Sequence, residues 1–126
     1  MWSHGNFHWN ELMTRDVEKA KKFCGETLGW TFDAMPMPGG SGSYWVAKMG
    51  DKPVGGIFPM GPEQGSVPES WGAYIAVDDV DARVRKGKAG GAKVMAEPFD
   101  VPGVGRIAII QDPNGAAIGL MTPVDA

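Results

Sequence analysis

The chain has 126 residues and a formal net charge of −3, which is long enough for one domain with a sizeable core. It has no basic cluster suited to a phosphate backbone, so nucleic acid is not the expected partner. No apolar run approaches the ~20 residues of a membrane span, and the opening Met1-Trp2-Ser3-His4-Gly5 lacks the charged and apolar regions of a secretory signal.

A single cysteine, Cys24, precludes an internal disulfide and fits a reducing, cytoplasmic setting. Taken in chain order, Phe7 to Thr14 reads as a strand. Asp16 then opens a helix by accepting an orphan backbone N–H, and Glu18 adds an anion to its first turn. Val17, Ala20, Phe23, Cys24, Thr27 and Leu28 recur at helical spacing, predicting one buried stripe and a buried Cys24. Gly29 supplies a left-handed stop. Strands are predicted over Thr31 to Met35, Tyr44 to Met49 and Pro53 to Phe58. The loop Pro36 to Gly42 separates the first two, and Gly50-Asp51 joins the second pair. Gly61 to Ser70 has the composition of a surface linker.

The same order then repeats. Asp16-Val17-Glu18 returns as Asp79-Val80-Asp81, 63 residues on, and Gly56-Ile57 returns as Gly119-Leu120 at the same offset. An offset of half the chain predicts a duplicated unit, a claim resting on register because few letters match. Trp71 to Val77 is the second first-strand, followed by a helix from Val80 to about Ala89 in which Asp81 and Arg85 are spaced to pair. Lys93 to Glu97 is a strand, Phe99 to Gly105 a loop, and Ile107 to Gln111 a strand. Asp112-Pro113-Asn114-Gly115 is a hairpin signal, and Ala116 to Met121 closes the chain.

This βαβββ-βαβββ pattern resembles the vicinal oxygen chelate superfamily of glyoxalase I, bleomycin-resistance proteins, fosfomycin-resistance enzymes and extradiol dioxygenases. The residues that carry the resemblance are Trp9 to Leu12, Thr14, Asp16, Phe23, Leu28-Gly29-Trp30, Val77 to Asp81, Pro102-Gly103-Val104-Gly105-Arg106 and Asp112-Pro113-Asn114-Gly115. Cys24 stands where many relatives carry Tyr. The resemblance implies an α+β fold in which tandem modules form a curved mixed sheet around a cavity. It further implies a single domain over 1–126, with module one about 5–60, a linker about 61–70 and module two about 71–123.

In metal-dependent relatives four side chains, typically His and Glu, hold a divalent ion with positions left open for substrate oxygens. The resemblance carries those positions onto Trp9, Gly56, Gly72 and Gly119, none of which has a side chain able to ligate. His8 is one residue away from a ligand position, so strand alternation points it to the opposite face, the alternative being a role in the pocket through a bulge or a different register. His4 lies near the terminus and is expected in solvent. The expectation is therefore no metal and no cofactor.

Strand phase places Trp9, Glu11 and Met13 on the cavity face with Val54, Gly56 and Phe58, Gly72, Tyr74 and Ala76, and Ala117, Gly119 and Met121. The three glycines are expected to leave volume, the alternative being that this face packs shut or meets a second subunit. Candidate substrate-binding residues are Trp9, Glu11, Gly56, Phe58, Gly72, Tyr74, Gly119 and Met121. This lining is aromatic and Met-containing, as small-molecule sites usually are. Glu11 and Tyr74 are equivalent by the offset; as a facing pair they would be a base and a proton donor, with burial raising the carboxylate's pKa, or else a structural pair. Arg106, after a Gly-rich loop, is either solvated or faces an anion.

Two functions stay open. One is a binder of a small, partly apolar molecule, comparable to the bleomycin-resistance proteins. The other is an enzyme of the superfamily, a glyoxalase-type lyase, isomerase or dioxygenase, with a displaced metal site or with Glu11 as general base. The resemblance also implies a homodimer.

Overall fold

The structure, a computed structural model, describes residues 2–37 and 42–124. Its elements run β1 (Phe7–Thr14), α1 (Val17–Leu28), β2 (Thr31–Pro36), β3 (Ser43–Met49), β4 (Lys52–Pro59), β5 (Ser70–Ala76), α2 (Val80–Ala89), β6 (Lys93–Val101), β7 (Gly105–Gln111) and β8 (Ala117–Pro123). This is the expected α+β order, βαβββ taken twice. Residues 38–41 of the expected loop lie outside the described residues. The chain forms two compact units, Asn10–Trp71 and Met1–Trp9 with Gly72–Ala126.

In the Asn10–Trp71 unit the strands lie in the order β2-β3-β4-β1, with β1 parallel to β4 and the others antiparallel. Asp16 caps α1 by accepting from the Lys19 N–H at 3.1 Å, and Gly29 ends it at φ +79°. Both ends follow from residue chemistry: a short acceptor at the start and a residue free to turn left-handed at the stop. Ile57, fully buried, and Ala47 anchor the β3–β4 pair.

The predicted α1 stripe is only partly buried. Cys24 is covered, but Phe23 is 65% exposed and Leu28 47%, and Thr27 is exposed. Helical spacing identifies the apolar side of a helix, not whether anything closes over it. Here that side faces an open cavity.

The segment Gly61 to Ser70 is more than a linker. It contains a 3-10 turn at Pro62–Gln64, and Arg15 fastens it by donating to the carbonyls of Gly65 and Val67 at 2.8 Å each.

In the other unit the order is β5-β8-β7-β6, again with the first and last strands of the module parallel. Asp79 caps α2 by accepting from Ala82 N–H. Val77, Val80, Val84, Ala108 and Leu120 form one apolar cluster that joins α2 to the sheet.

β6 runs to Val101, past the expected end at Glu97. It lies at the end of the sheet order and shifts register on both sides of Ala96. An edge position and a bulge are where a strand tolerates Pro98, which has no N–H to give. The expected Asp81–Arg85 pairing is replaced by a stronger partner: Arg106 reaches Asp81 with Nε at 3.1 Å and Asp100 at 3.0 Å. At the last hairpin Asp112 Oδ1 accepts from Asn114 and Ala116 N–H while Gly115 takes φ +98°.

Candidate functional site

The repeat predicts that Glu11 in one unit and Tyr74 in the other stand at matching places. Each does, within its own unit: Glu11 is the register partner of Gly56, and Tyr74 of Gly119. Leu12 and Thr14 line a cavity beside α1, so the odd-numbered Glu11 and Met13 point to the other face of β1.

Gly56 and Gly119 do not leave the expected volume. A Cβ on Gly56 would run into the phenol of Tyr44, and a Cβ on Gly119 into the ring of Tyr74. In each unit an aromatic ring lies across a bare glycine, one from β3 and one from β5. Tyr74 is buried with Ile107 and Met121, and Trp9 and Val101 pack against them. Trp9, Glu11, Tyr44 and Tyr74 are each engaged in a polar or ring interaction. Phe58 pairs with Met13 and is half-buried, as is Gly72.

His8 is exposed. His4 accepts from the Asp78 N–H through Nδ1 at 3.0 Å. Asp78 also receives Arg83 at 2.9 Å. That guanidinium holds the Asp78 carboxyl down at about 2. Arg106, its side chain 38% exposed, is paired with Asp81 and Asp100. Among the described residues, no group of three or more His, Cys, Asp or Glu side chains is placed to hold a metal ion.

Sequence reasoning did not anticipate the cavity of about 460 Å³ in the Asn10–Trp71 unit, between β1, α1 and Trp71. Its polar side is built by Thr14, Asp16, Lys19 and Glu69. Thr14, 3% exposed, donates to Glu69 Oε1 at 2.6 Å and accepts from Asp16 N–H at 3.3 Å. Arg15 N–H donates to the other Glu69 oxygen at 3.1 Å. The Thr14 bond first, and then the Arg15 N–H, hold the Glu69 carboxyl below its ordinary range. Burial pushes the Cys24 thiol up. Trp71 stands edge-on to Trp30, with ring centroids 6.1 Å apart. One sequence signal for this site was available: an acid and a tryptophan, Glu69 and Trp71, at the end of an otherwise linker-like segment.

Residues 6–120 match the Glyoxalase/Bleomycin resistance protein/Dioxygenase superfamily. The chain belongs to this superfamily.

Its relatives include the candidate glyoxylase CFP32 of Mycobacterium tuberculosis, 44% identical over 120 residues, covering 94% of this chain and 46% of that protein. The anthracycline biosynthesis protein DnrV of Streptomyces peucetius is 32% identical over 89% of this chain and 45% of its own length. The chain thus spans about half the length of these curated relatives. Among solved structures, a hypothetical protein of Bacillus halodurans superposes with TM-score 0.73 at 12% identity, covering 98% of each chain. Streptomyces coelicolor methylmalonyl-CoA epimerase, complexed with 2-nitronate-propionyl-CoA, superposes with TM-score 0.71 at 16% identity, over 98% of this chain and all of that one. Likeness at that identity concerns the fold: the superfamily's α+β arrangement of eight strands and two helices. Among the described residues no helix is long and apolar enough to cross a membrane.

Proposed function

We propose that this superfamily member binds a small, partly apolar molecule without a metal ion. The observation that carries the reading is the ring over each glycine. Where the resemblance implies metal ligands, Gly56 lies under Tyr44 and Gly119 under Tyr74. Trp9 and Gly72 occupy the other two positions. These residues do not fit a divalent ion, because none offers a side-chain nitrogen or carboxylate oxygen as a ligand. What they offer is aromatic and apolar surface with few polar groups, which suits an organic ligand.

Within the unit of Met1–Trp9 and Gly72–Ala126 the proposed ligand-contacting residues are Trp9, Gly72, Tyr74 and Met121, with Gly119 beneath the Tyr74 ring; taken by itself, the Asn10–Trp71 unit offers Glu11 and Phe58, with Gly56 beneath Tyr44. A thermal-shift screen of metabolites and antibiotics, run with and without a chelator, tests the reading. Binding to the native state raises the melting temperature by mass action. The same hits and shifts are expected in both conditions, and hits that vanish with chelator overturn the reading.

The relation to CFP32 supports a second reading, a glyoxylase-type enzyme in which Glu11, half-buried opposite Gly56, acts as base. A Glu11→Gln variant that keeps affinity for a screened ligand and loses turnover would favour it. A homodimer in the cytoplasm belongs to the main reading. Exposed Phe7, Met95 and Phe99 support self-association, and light scattering across protein concentration tests it.

A further inference from the structure

We propose that the cavity beside α1 is a second ligand site, and that it takes a small organic ammonium compound with an aromatic or branched apolar body. The site belongs to one unit and lies on the face of β1 opposite to Glu11. It stands whether or not the reading above is correct.

Three observations converge on it. The first is size: about 460 Å³ falls within the range of small-molecule pockets. The second is the wall. Leu12, Ala20, Phe23, Cys24, Leu28 and Trp71 make it apolar, and Phe23, Leu28 and Trp71 remain 65%, 47% and 51% exposed. Large side chains left that bare around a concavity gain apolar contact when a ligand enters.

The third is the polar end, where two carboxylates, Asp16 and Glu69, face one ammonium, Lys19. Arg15 also acts on Glu69 through its charge, but its guanidinium is bound to the Gly65 and Val67 carbonyls and does not line the cavity, so the lining itself presents a cation with two acceptor groups and one competitor. Glu69 is also fixed in advance. Thr14 Oγ1 and Arg15 N–H each occupy one of its oxygens, whereas a carboxylate has about four acceptor sites in all. The remaining acceptor directions are held in place without cost at the moment of binding, which is the advantage of preorganisation. Thr14 itself gives its hydrogen to Glu69 and accepts from Asp16 N–H, so it positions the acid and is not the recognition group. The nearby rings of Trp71 and Phe23 suit both an apolar body and a cation drawn to an aromatic face.

Three probes of nearly equal shape separate charge from shape: 2-phenylethylamine, 2-phenylethanol and phenylacetate. Each is titrated into the isotope-labelled protein, following the Trp71 indole N–H and the amides of Thr14 and Cys24. The amine is expected to shift these signals and to bind about fivefold or more tightly than the alcohol, the scale of one charge-assisted hydrogen bond. Phenylacetate is expected to bind weakest. In Glu69→Gln, which keeps an acceptor for Thr14, the amine falls to the alcohol's affinity and the alcohol is unchanged.

Ala20→Leu, checked for an intact spectrum, fills the space and removes binding of both. Equal affinity for the three probes overturns the proposal, as does absence of binding by any of them. So do shifts centred on Tyr74 and Met121 instead of Trp71. Trp71 signals that move with protein concentration alone would assign the groove to a second copy of the chain and also overturn it.

Discussion

Replacing Gly119 by alanine tests how tightly Tyr74 is laid over the sheet. The new methyl would enter the space of the Tyr74 ring, and that ring is not free to swing out. It is 7% exposed and packed with Ile107 and Met121. Forcing one extra carbon into a filled core costs ~1–3 kcal/mol. Against this, Gly→Ala lowers the entropy of the unfolded chain, which stabilises by ~0.4–1 kcal/mol. The net expectation is a loss of about 1–2 kcal/mol, or about 5 °C in melting temperature for a chain of this size.

Urea unfolding of four proteins isolates the cause: wild type, Gly119→Ala, Tyr74→Leu and the double variant. In the Tyr74→Leu background the ring is gone, so Gly119→Ala should cost little or become stabilising. The coupling between the two changes should exceed ~1 kcal/mol. A Gly119→Ala variant that loses the same stability in both backgrounds would show that the ring is not what the methyl meets.

Other expectations follow from single observations. Gly105 has φ +152°, and a Cβ there would meet the backbone oxygen of Thr122. Gly105→Ala should therefore cost about 3 kcal/mol by denaturant unfolding, more than Gly119→Ala, since backbone cannot rotate away. Asp78 has a folded pKa of about 2 against an ordinary 3.8. A depressed carboxylate stabilises above its unfolded value, so that contribution should be present above pH 3.8 and lost as pH falls toward 2. NMR titration should find the low value in wild type and a rise toward the ordinary one in Arg83→Met, whose guanidinium is the leading cause. Cys24, 4% exposed and with its thiol pKa raised by burial, should react with a disulfide reagent far more slowly in the native protein than in urea. Equal rates would contradict its burial.

The fold was readable because its signals are local. Asp16 and Asp79 are caps in both sequence and structure, Gly29 is the left-handed stop, and the 63-residue offset places Glu11–Gly56 and Tyr74–Gly119 in matching register. The site was less readable, for reasons visible in β3 and β4. The Gly50-Asp51 connection pairs Met49 with Lys52, and counting back from there would set Trp45 opposite Gly56. A register shift between Ala47 and Lys48 instead sets Val46 opposite Gly56, which puts Tyr44 on the glycine's face. One bulge, invisible in residue types, decides which aromatic covers the glycine.

The helix stripe shows the other limit. Spacing grouped Phe23, Cys24 and Leu28 correctly on one side of α1, but whether that side packs shut depends on the distance between layers. The residues that border the gap, Glu69 and Trp71, come from a segment that composition alone reads as linker. The Asp81–Arg106 pair was missed for a similar reason. Helical spacing proposes partners within a helix, and a residue distant in sequence supplied the guanidinium.

Whether the positions of Trp9, Gly56, Gly72 and Gly119 hold an ion is read from metal content. Protein purified without chelators and without a metal-affinity tag, analysed for Zn, Ni, Mn and Fe by mass spectrometry, should contain well under about 0.1 equivalents of each. Titration calorimetry with the same ions should show no stoichiometric site tighter than the micromolar range, about −8 kcal/mol. One equivalent of a transition metal, retained through dialysis and lost together with ligand binding on chelation, would contradict the account.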